Sequence, residues 1–462
     1  MKSKNLVLCL FYITINLFFI LLYFFVDSNF SYYYSFTYCG FLIISSLLIF
    51  YLFFVKKIEV FDPMILVTLI YSLIFYITPM IDYYFKNPYY FGFNVIGGST
   101  KGVIISLLGY ISFFYLYVIT SFKKDKIIKE INCVKSKVIF VNLILWSIGL
   151  LLSIFLLKGQ GISLSYILSF GAFGDVLQSK EGSLNFLGMF SYSMIVPWLY
   201  LMINVKSKNI KLIITVVTLS VFYLRGFRFI LLIMLLSPLI FYYTSRKRNP
   251  PINIIGLTSI LTILMIGIIG FIRGDVRSGR EAKWNEFNFE SIWYGLESNF
   301  NIYKAFYRLI EIYDYQNYYT LGKQISYTFI IMIPKFLWSG KPDTPLREIL
   351  EITLGSYAVS AGAAWPNIGE YFSEFGIIGV VLFMGLLGFL FKKMNYFYKN
   401  SYLTTHLLVI FSIGYPFIVQ IIIRGYTPTN FWMGVFFLVP IYINYKVGET
   451  KNWSRRLNSE KK

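Results

Sequence analysis

Long apolar runs separated by short polar punctuation make up most of this chain. About 20 consecutive apolar residues carry an α-helix across a bilayer, and runs of that length fall at 5–26, 33–55, 64–82, 102–122 and 138–157. A polar Gly- and Ser-rich stretch from Lys158 to Asn185 follows, and a sixth run then ends near Asn204. Residues 210–244 are too long for one span and are interrupted by Leu224-Arg225-Gly226-Phe227-Arg228, which predicts two helices joined by a tight turn. A ninth run covers 252–272, and the last three cover 372–391, 403–422 and 429–446. The pattern predicts an all-α polytopic membrane protein of about twelve transmembrane helices with no internal repeat.

One long polar segment, Arg273 to Glu370, interrupts this alternation between the ninth and tenth helices. The chain therefore divides into helices 1–9 over 1–272, a large loop over 273–370, helices 10–12 over 371–446 and a basic tail over 447–462. Inside the loop, Ile292, Leu296, Phe300, Tyr303, Phe306 and Ile310 recur at three-to-four spacing, which predicts an amphipathic helix over Ser291–Tyr315. Ile325–Trp338 is apolar but too short to span, and Pro334 interrupts it, as in an interfacial or re-entrant segment. Two packings compete for these elements: back onto the membrane helices, or together as the core of a small outer domain.

At 57% hydrophobic, 20% aromatic and 14% charged residues, the 462-residue chain falls far from the roughly 25% charged average of soluble domains. Its formal charge of +20 follows the positive-inside rule. With the N-terminus in the cytoplasm, the inner segments hold 25 Lys and Arg against 6 Asp and Glu, and the outer ones 17 against 16. Both termini are thus expected inside and the long loop outside, and the charge calls for no nucleic acid. The first run lacks a small-residue cleavage site and is expected as a retained helix. Cys9 and Cys39 fall in apolar runs and Cys133 in a cytoplasmic loop, which leaves no CxxC pair and no outer pair for a disulfide.

Arginine is the first candidate chemistry. It supplies 4 of 25 inner cationic side chains but 8 of 17 outer ones: Arg225, Arg228, Arg273, Arg277, Arg280, Arg308, Arg347 and Arg424. Lysine would serve topology alone, whereas guanidinium grips phosphate or carboxylate through two parallel hydrogen bonds. Three outer turns carry an Arg-Gly pair, at Arg225-Gly226, Arg273-Gly274 and Arg424-Gly425. Together they predict a cationic ring that holds a lipid-linked pyrophosphate; the competing reading is that each arginine only snorkels to headgroups. Carboxylates form the second set, with Asp275, Glu281, Glu370 and Glu374 at the two ends of the loop, as a general base for a sugar hydroxyl or as ion-pair partners of the arginines. No Asp-x-Asp, Gly-x-Ser-x-Gly, Walker loop or His-Glu-x-x-His occurs, so no metal and no other cofactor is expected. The single histidine, His406, falls near the cytoplasmic end of the eleventh helix, where a packing role is expected. Trp284, Trp293, Trp338 and Trp365 in the loop offer faces for sugar rings, against plain packing.

These features resemble the Wzy family of O-antigen and capsule repeat-unit polymerases. The likeness lies in twelve helices with one large outer loop before the last three and in Gly226-Phe227-Arg228, similar to the family's Gly-Ser-Arg turn. It lies also in Ile333-Pro334-Lys335-Phe336-Leu337-Trp338-Ser339-Gly340-Lys341-Pro342 and in Gly369-Glu370-Tyr371-Phe372-Ser373-Glu374-Phe375-Gly376-Ile377-Ile378-Gly379. Phe227 stands where the family turn often has serine, so Arg225 is an alternative to Arg228. The resemblance implies a GT-C-like, metal-independent glycosyltransferase of the bacterial inner membrane with a periplasmic loop. Such an enzyme moves a growing glycan from undecaprenyl pyrophosphate to the terminal sugar of a new lipid-linked repeat unit. On that reading Arg228, Arg273 and Arg424 hold pyrophosphate, Arg277, Arg280 and Arg347 line the glycan path, with Arg225 and Lys341 as further substrate contacts, and Glu370 or Asp275 is the base. The partners implied are the undecaprenyl-pyrophosphate-linked oligosaccharide, membrane lipid, and a chain-length regulator and flippase of the same pathway. An O-antigen ligase shares the plan but characteristically carries a loop histidine, absent here; a lipid-linked oligosaccharide flippase would show inverted repeats and mid-membrane charges.

Overall fold

A backbone in hydrocarbon must satisfy its own polar groups, and the long apolar runs do so as helices. The computed structural model describes residues 13–14, 16–54, 59–122, 135–159, 187–224, 228–277, 300–316, 319–334, 337–360, 364–399 and 404–459. The helices are α1 (Ser28–Phe54), α2 (Pro63–Tyr84), α3 (Ser99–Ile119), α4 (Lys135–Gly159), α5 (Ile195–Asn204), α6 (Lys208–Leu224) and α7 (Arg228–Ser245). They continue as α8 (Ile252–Arg277), α9 (Ile302–Gln316), α10 (Lys323–Ile330), α11 (Pro345–Ser360), α12 (Asn367–Lys399), α13 (Thr405–Ile423) and α14 (Thr427–Ser459). Between α2 and α3, strands β1 (Tyr89–Tyr90) and β2 (Phe93–Asn94) pair antiparallel. Among the described residues six helices are long and apolar enough to cross a membrane, with Phe229–Ser245 and Ile252–Met265 as shorter apolar helices. The chain is a multi-pass membrane protein. Most of the first apolar run, 5–26, lies outside the described residues.

Lipid offers helices no hydrophobic drive to associate, so close approach depends on small residues. Helix α3 crosses α12 on that basis. A Cβ on Gly109 would stand 2.9 Å from Val380, one on Gly385 2.9 Å from Ser112 Oγ, and one on Gly388 2.3 Å from the Phe113 carbonyl. Ser112 Oγ donates to the Val381 carbonyl at 2.6 Å across the same crossing. Gly388→Val is therefore expected to force the two helices apart at a cost of about 1–3 kcal/mol or more. The measurement is thermal melting of the purified protein in detergent; an unchanged transition would mean that the crossing is looser than described.

Carboxylates mark both ends of α2. At the first end Asp62 caps the helix, accepting from the Met64 N–H at 3.0 Å, and also from Tyr51 (2.8 Å), Tyr117 (2.6 Å) and Asn395 Nδ2 (3.1 Å). At the other end Asp82 pairs with Lys304 of α9 at 3.0 Å, their side chains 7% and 0% exposed. Lys304 Nζ also donates to the Asn87 carbonyl at 2.8 Å, and the Tyr303 hydroxyl donates to Asp82. Burial first, and then the Asp82 carboxylate, push the Tyr303 phenol well above its ordinary pKa, which keeps it a donor.

This pairing decides between the two packings of the loop. Tyr303, Phe306, Tyr307 and Ile310 of α9 enter the same core as Phe75, Tyr76, Tyr83 and Val95 of the α2–α3 region. The loop helix thus lies on the end of the helix bundle. Its described part runs from Ile302 to Gln316, and the expected first turns over 291–299 lie outside the described residues. Within Ile325–Trp338, helix α10 occupies the beginning and ends at Ile330, leaving Phe329, Leu337 and Trp338 exposed.

Candidate functional site

The tenth expected span begins earlier than the apolar pattern indicates, as a short helical segment ahead of a break. At Gly376 the backbone takes φ 61° and ψ −147°, a conformation open essentially to glycine, after Phe375 at φ −138° and ψ 22°. The break deprives the carbonyls of Ser373 and Glu374 of their helical donors. The loop supplies replacements: Thr320 N–H reaches the Ser373 carbonyl at 2.9 Å and Leu321 N–H the Glu374 carbonyl at 3.1 Å. Glu374 in turn accepts from Gln324 N–H at 2.7 Å, at the start of α10, where a helix favours negative charge. Break, loop turn and short helix are thereby fastened as one unit.

On the preceding turn Glu370 is 2% exposed. Its Oε1 and Oε2 accept from Thr427 N–H at 2.8 and 2.9 Å, and Oε2 from Thr427 Oγ1 at 2.9 Å, which caps the start of α14. The turn before that cap is Arg424-Gly425-Tyr426. Gly425 N–H donates to the Trp365 carbonyl at 3.0 Å. A Cβ on Gly425 would stand 2.4 Å from the Pro366 carbonyl oxygen and 2.6 Å from Asn367 Cα, so only glycine lets these two backbones touch. The Arg424 guanidinium lies 5.7 Å from the ring centre of Phe229, the residue after Arg228 at the start of α7. Three stretches far apart in sequence, at 228–229, 365–370 and 424–427, therefore meet at one place.

The other expected site residues stand at separate places in the fold or outside the described residues. Arg273, Asp275 and Arg277 occupy the last turns of α8, and Arg228 opens α7; Arg225 and Arg280 lie outside the described residues. Lys341 Nζ donates to the carbonyls of Ile331 and Ile333, both at 2.9 Å, closing the chain that leaves α10. Arg347 pairs with Glu351 one turn on, at 3.1 Å on an exposed face. His406 is buried, with Nδ1 2.7 Å from the Tyr200 hydroxyl, as befits packing. Trp365 is fully buried and Trp338 exposed, while Trp284 and Trp293 lie outside the described residues.

Sequence reasoning passed over Asp82, Lys304 and Gln324. One signal for the first two was available: a carboxylate in an apolar run and a lysine amid the apolar stripe of α9 each require a buried partner.

The family model for O-antigen polysaccharide polymerase Wzy matches residues 8–452, nearly the whole chain. The chain belongs to that family. No curated protein and no solved structure matches it. Membership makes this Wzy protein a glycosyltransferase-type polymerase of polysaccharide biosynthesis that acts in the membrane on lipid-linked oligosaccharide repeat units. The junction of α7, α12 and α14 brings the Arg424 guanidinium to a helix start whose donors are closed by Glu370.

Proposed function

We propose that this Wzy protein lengthens an O-antigen or capsular glycan at the outer face of the bacterial inner membrane, with both termini cytoplasmic and twelve GT-C-like spans. The donor is the growing glycan on undecaprenyl pyrophosphate, and the acceptor is the terminal sugar of an incoming undecaprenyl-pyrophosphate-linked repeat unit. The bond between the anomeric carbon and the pyrophosphate oxygen breaks, its electron pair leaving with the pyrophosphate. The acceptor hydroxyl oxygen bonds to the anomeric carbon and gives its proton to a base.

The meeting of the Arg424 turn with the start of α7 and with Glu370 is the observation that carries this reading. Arg228, Arg273 and Arg424 hold the pyrophosphate and stabilise the charge it gains, with Arg225 as the alternative to Arg228, and Arg277, Arg280 and Arg347 line the glycan path, with Lys341 as a further substrate contact. A preorganised cationic donor in a dry site supplies such stabilisation without a metal ion. Glu370 and Asp275 are the two candidate bases. Asp275 is favoured, because both oxygens of Glu370 are engaged by Thr427 and fix the Arg424 turn. A chain-length regulator and a flippase of the same pathway are the protein partners expected to meet this loop.

The test is the surface polysaccharide of a deletion strain run on a gel. The deletion should leave single repeat units on their anchor, wild type should restore a ladder, and Arg273→Lys, expressed at the wild-type level, should lose about 100-fold or more of the polymer. A full ladder from Arg273→Lys would remove that residue from the site. Long polymer stranded on its lipid carrier would favour a ligase, and no repeat unit outside a flippase.

A further inference from the structure

Helix α10 packs against α14 beside Glu370. Four buried side-chain atoms on these two elements and the turn leading into α14 have no hydrogen-bond partner among the described residues: Gln324 Oε1, Thr328 Oγ1, Tyr426 OH and Asn430 Oδ1. Gln324 and Thr328 stand four apart on α10, hence on one face, and are 0% and 4% exposed. Each is held by its other groups. Gln324 Nε2 donates to Ser373 Oγ at 2.7 Å, and the Thr328 carbonyl accepts from Trp432 Nε1 of α14 at 2.7 Å. Tyr426 and Asn430 are likewise four apart and joined by Asn430 N–H to the Tyr426 carbonyl at 3.1 Å, while Asn430 Nδ2 donates to the Arg424 carbonyl at 2.8 Å. Gln324 and Asn430 are thus anchored by their amide nitrogens and Thr328 and Tyr426 by their backbone carbonyls, with one side-chain polar atom left open on each.

A buried polar atom without a partner costs about 1–3 kcal/mol, and folded proteins keep few of them. Four at one contact, three on the two helices and one on the turn before α14, call for a ligand. Two of the atoms are carbonyl acceptors and two are hydroxyls that donate or accept. Burial first, and then the neighbouring Tyr327 and Glu370, push the Tyr426 phenol well above its ordinary pKa, so it presents a proton. An anion fits poorly among amide oxygens with Glu370 and Glu374 beside them. A polyhydroxylated ring fits well, since each sugar hydroxyl both gives and takes a hydrogen bond.

We propose that the α10–α14 contact is a saccharide subsite, which takes an uncharged hydroxyl-bearing ring of the glycan while the arginines across the junction take its pyrophosphate. This rests on the polymerase reading of the junction.

Thr328→Val exchanges one open hydroxyl for a methyl of similar size, and Tyr426→Phe removes the other. Idle hydroxyls would make these changes neutral or stabilising. Ligand contacts make them costly only to function. In the full-length protein in detergent, both variants should melt at or above wild type. In the deletion strain each should yield about tenfold less polymer, the effect of losing one such contact, and Thr328→Ser should recover it. Oligosaccharides released by mild acid from the host's own surface polysaccharide should raise the melting temperature of wild type but of neither variant. Wild-type ladders and an undiminished thermal shift in both variants would overturn the subsite and leave the four atoms to water. Should wild type itself build no ladder, the polymerase reading falls, and the thermal shift decides the subsite alone: kept if the variants lose it, overturned if wild type shows none.

Discussion

Lys304→Met is expected to destabilise the protein by about 3–5 kcal/mol, because it leaves the Asp82 carboxylate buried without its cation. The Tyr303 hydroxyl remains as its donor, but a neutral donor does not replace a charge in a dry site. Asp82→Asn should be similarly harmful, since Lys304 would keep the Asn87 carbonyl and an amide oxygen in place of a carboxylate. The consequence reaches beyond α2. Helix α9 carries Phe306 and Tyr313, whose rings stack edge-on or tilted against Phe372, two residues from Glu370 and from Glu374. Undocking α9 would therefore loosen the segment that holds both carboxylates, and loss of polymer should accompany loss of stability. Melting in detergent together with the polysaccharide ladder checks this. Should both single variants melt within a few degrees of wild type, the pair is not the lock that its burial indicates.

Much of this architecture was legible from hydropathy alone. Helices stand on the apolar runs from residue 28 onward, because a backbone at membrane depth has no other way to pair its donors. The amphipathic stripe of α9 was equally readable, since Tyr303, Phe306 and Ile310 repeat with the helical period and are buried as that period requires. What the stripe could not disclose was its partner. Asp82 and Lys304 are separated by the whole of α3 to α8, and one-dimensional periodicity carries no information on which end of which helix a loop helix covers. The break at Gly376 was hidden for a related reason. Glycine is frequent in membrane helices, so its positive φ becomes visible only once Thr320 and Leu321 are seen to take the freed carbonyls. Local composition did single out Glu370 and Arg424 separately. Their common junction depends on the contact of Gly425 with Pro366, which no spacing rule encodes.

Glu370 offers the sharpest separation of position from chemistry. Glu370→Leu should cost about 1–3 kcal/mol for each group that it strands, namely the Thr427 N–H and hydroxyl at the start of α14. The Arg424 turn would lose its support, and polymer should disappear with stability. Glu370→Gln behaves differently. Its Oε1 can still accept from the Thr427 N–H, and its Nε2 can donate to the Thr427 oxygen, so the cap survives with one hydrogen bond reversed. The lost attraction between a carboxylate and a helix start amounts to about 0.3–1 kcal/mol, and up to about 2 in a buried setting. Relief from holding a charge at 2% exposure opposes that loss. Glu370→Gln is therefore expected to melt near wild type and to build a ladder, as a positioning residue should, while Asp275→Asn, the favoured base, should not. If Glu370→Gln instead keeps its melting transition but loses the ladder, the carboxylate itself takes the acceptor proton, and the capped geometry must open when the glycan binds.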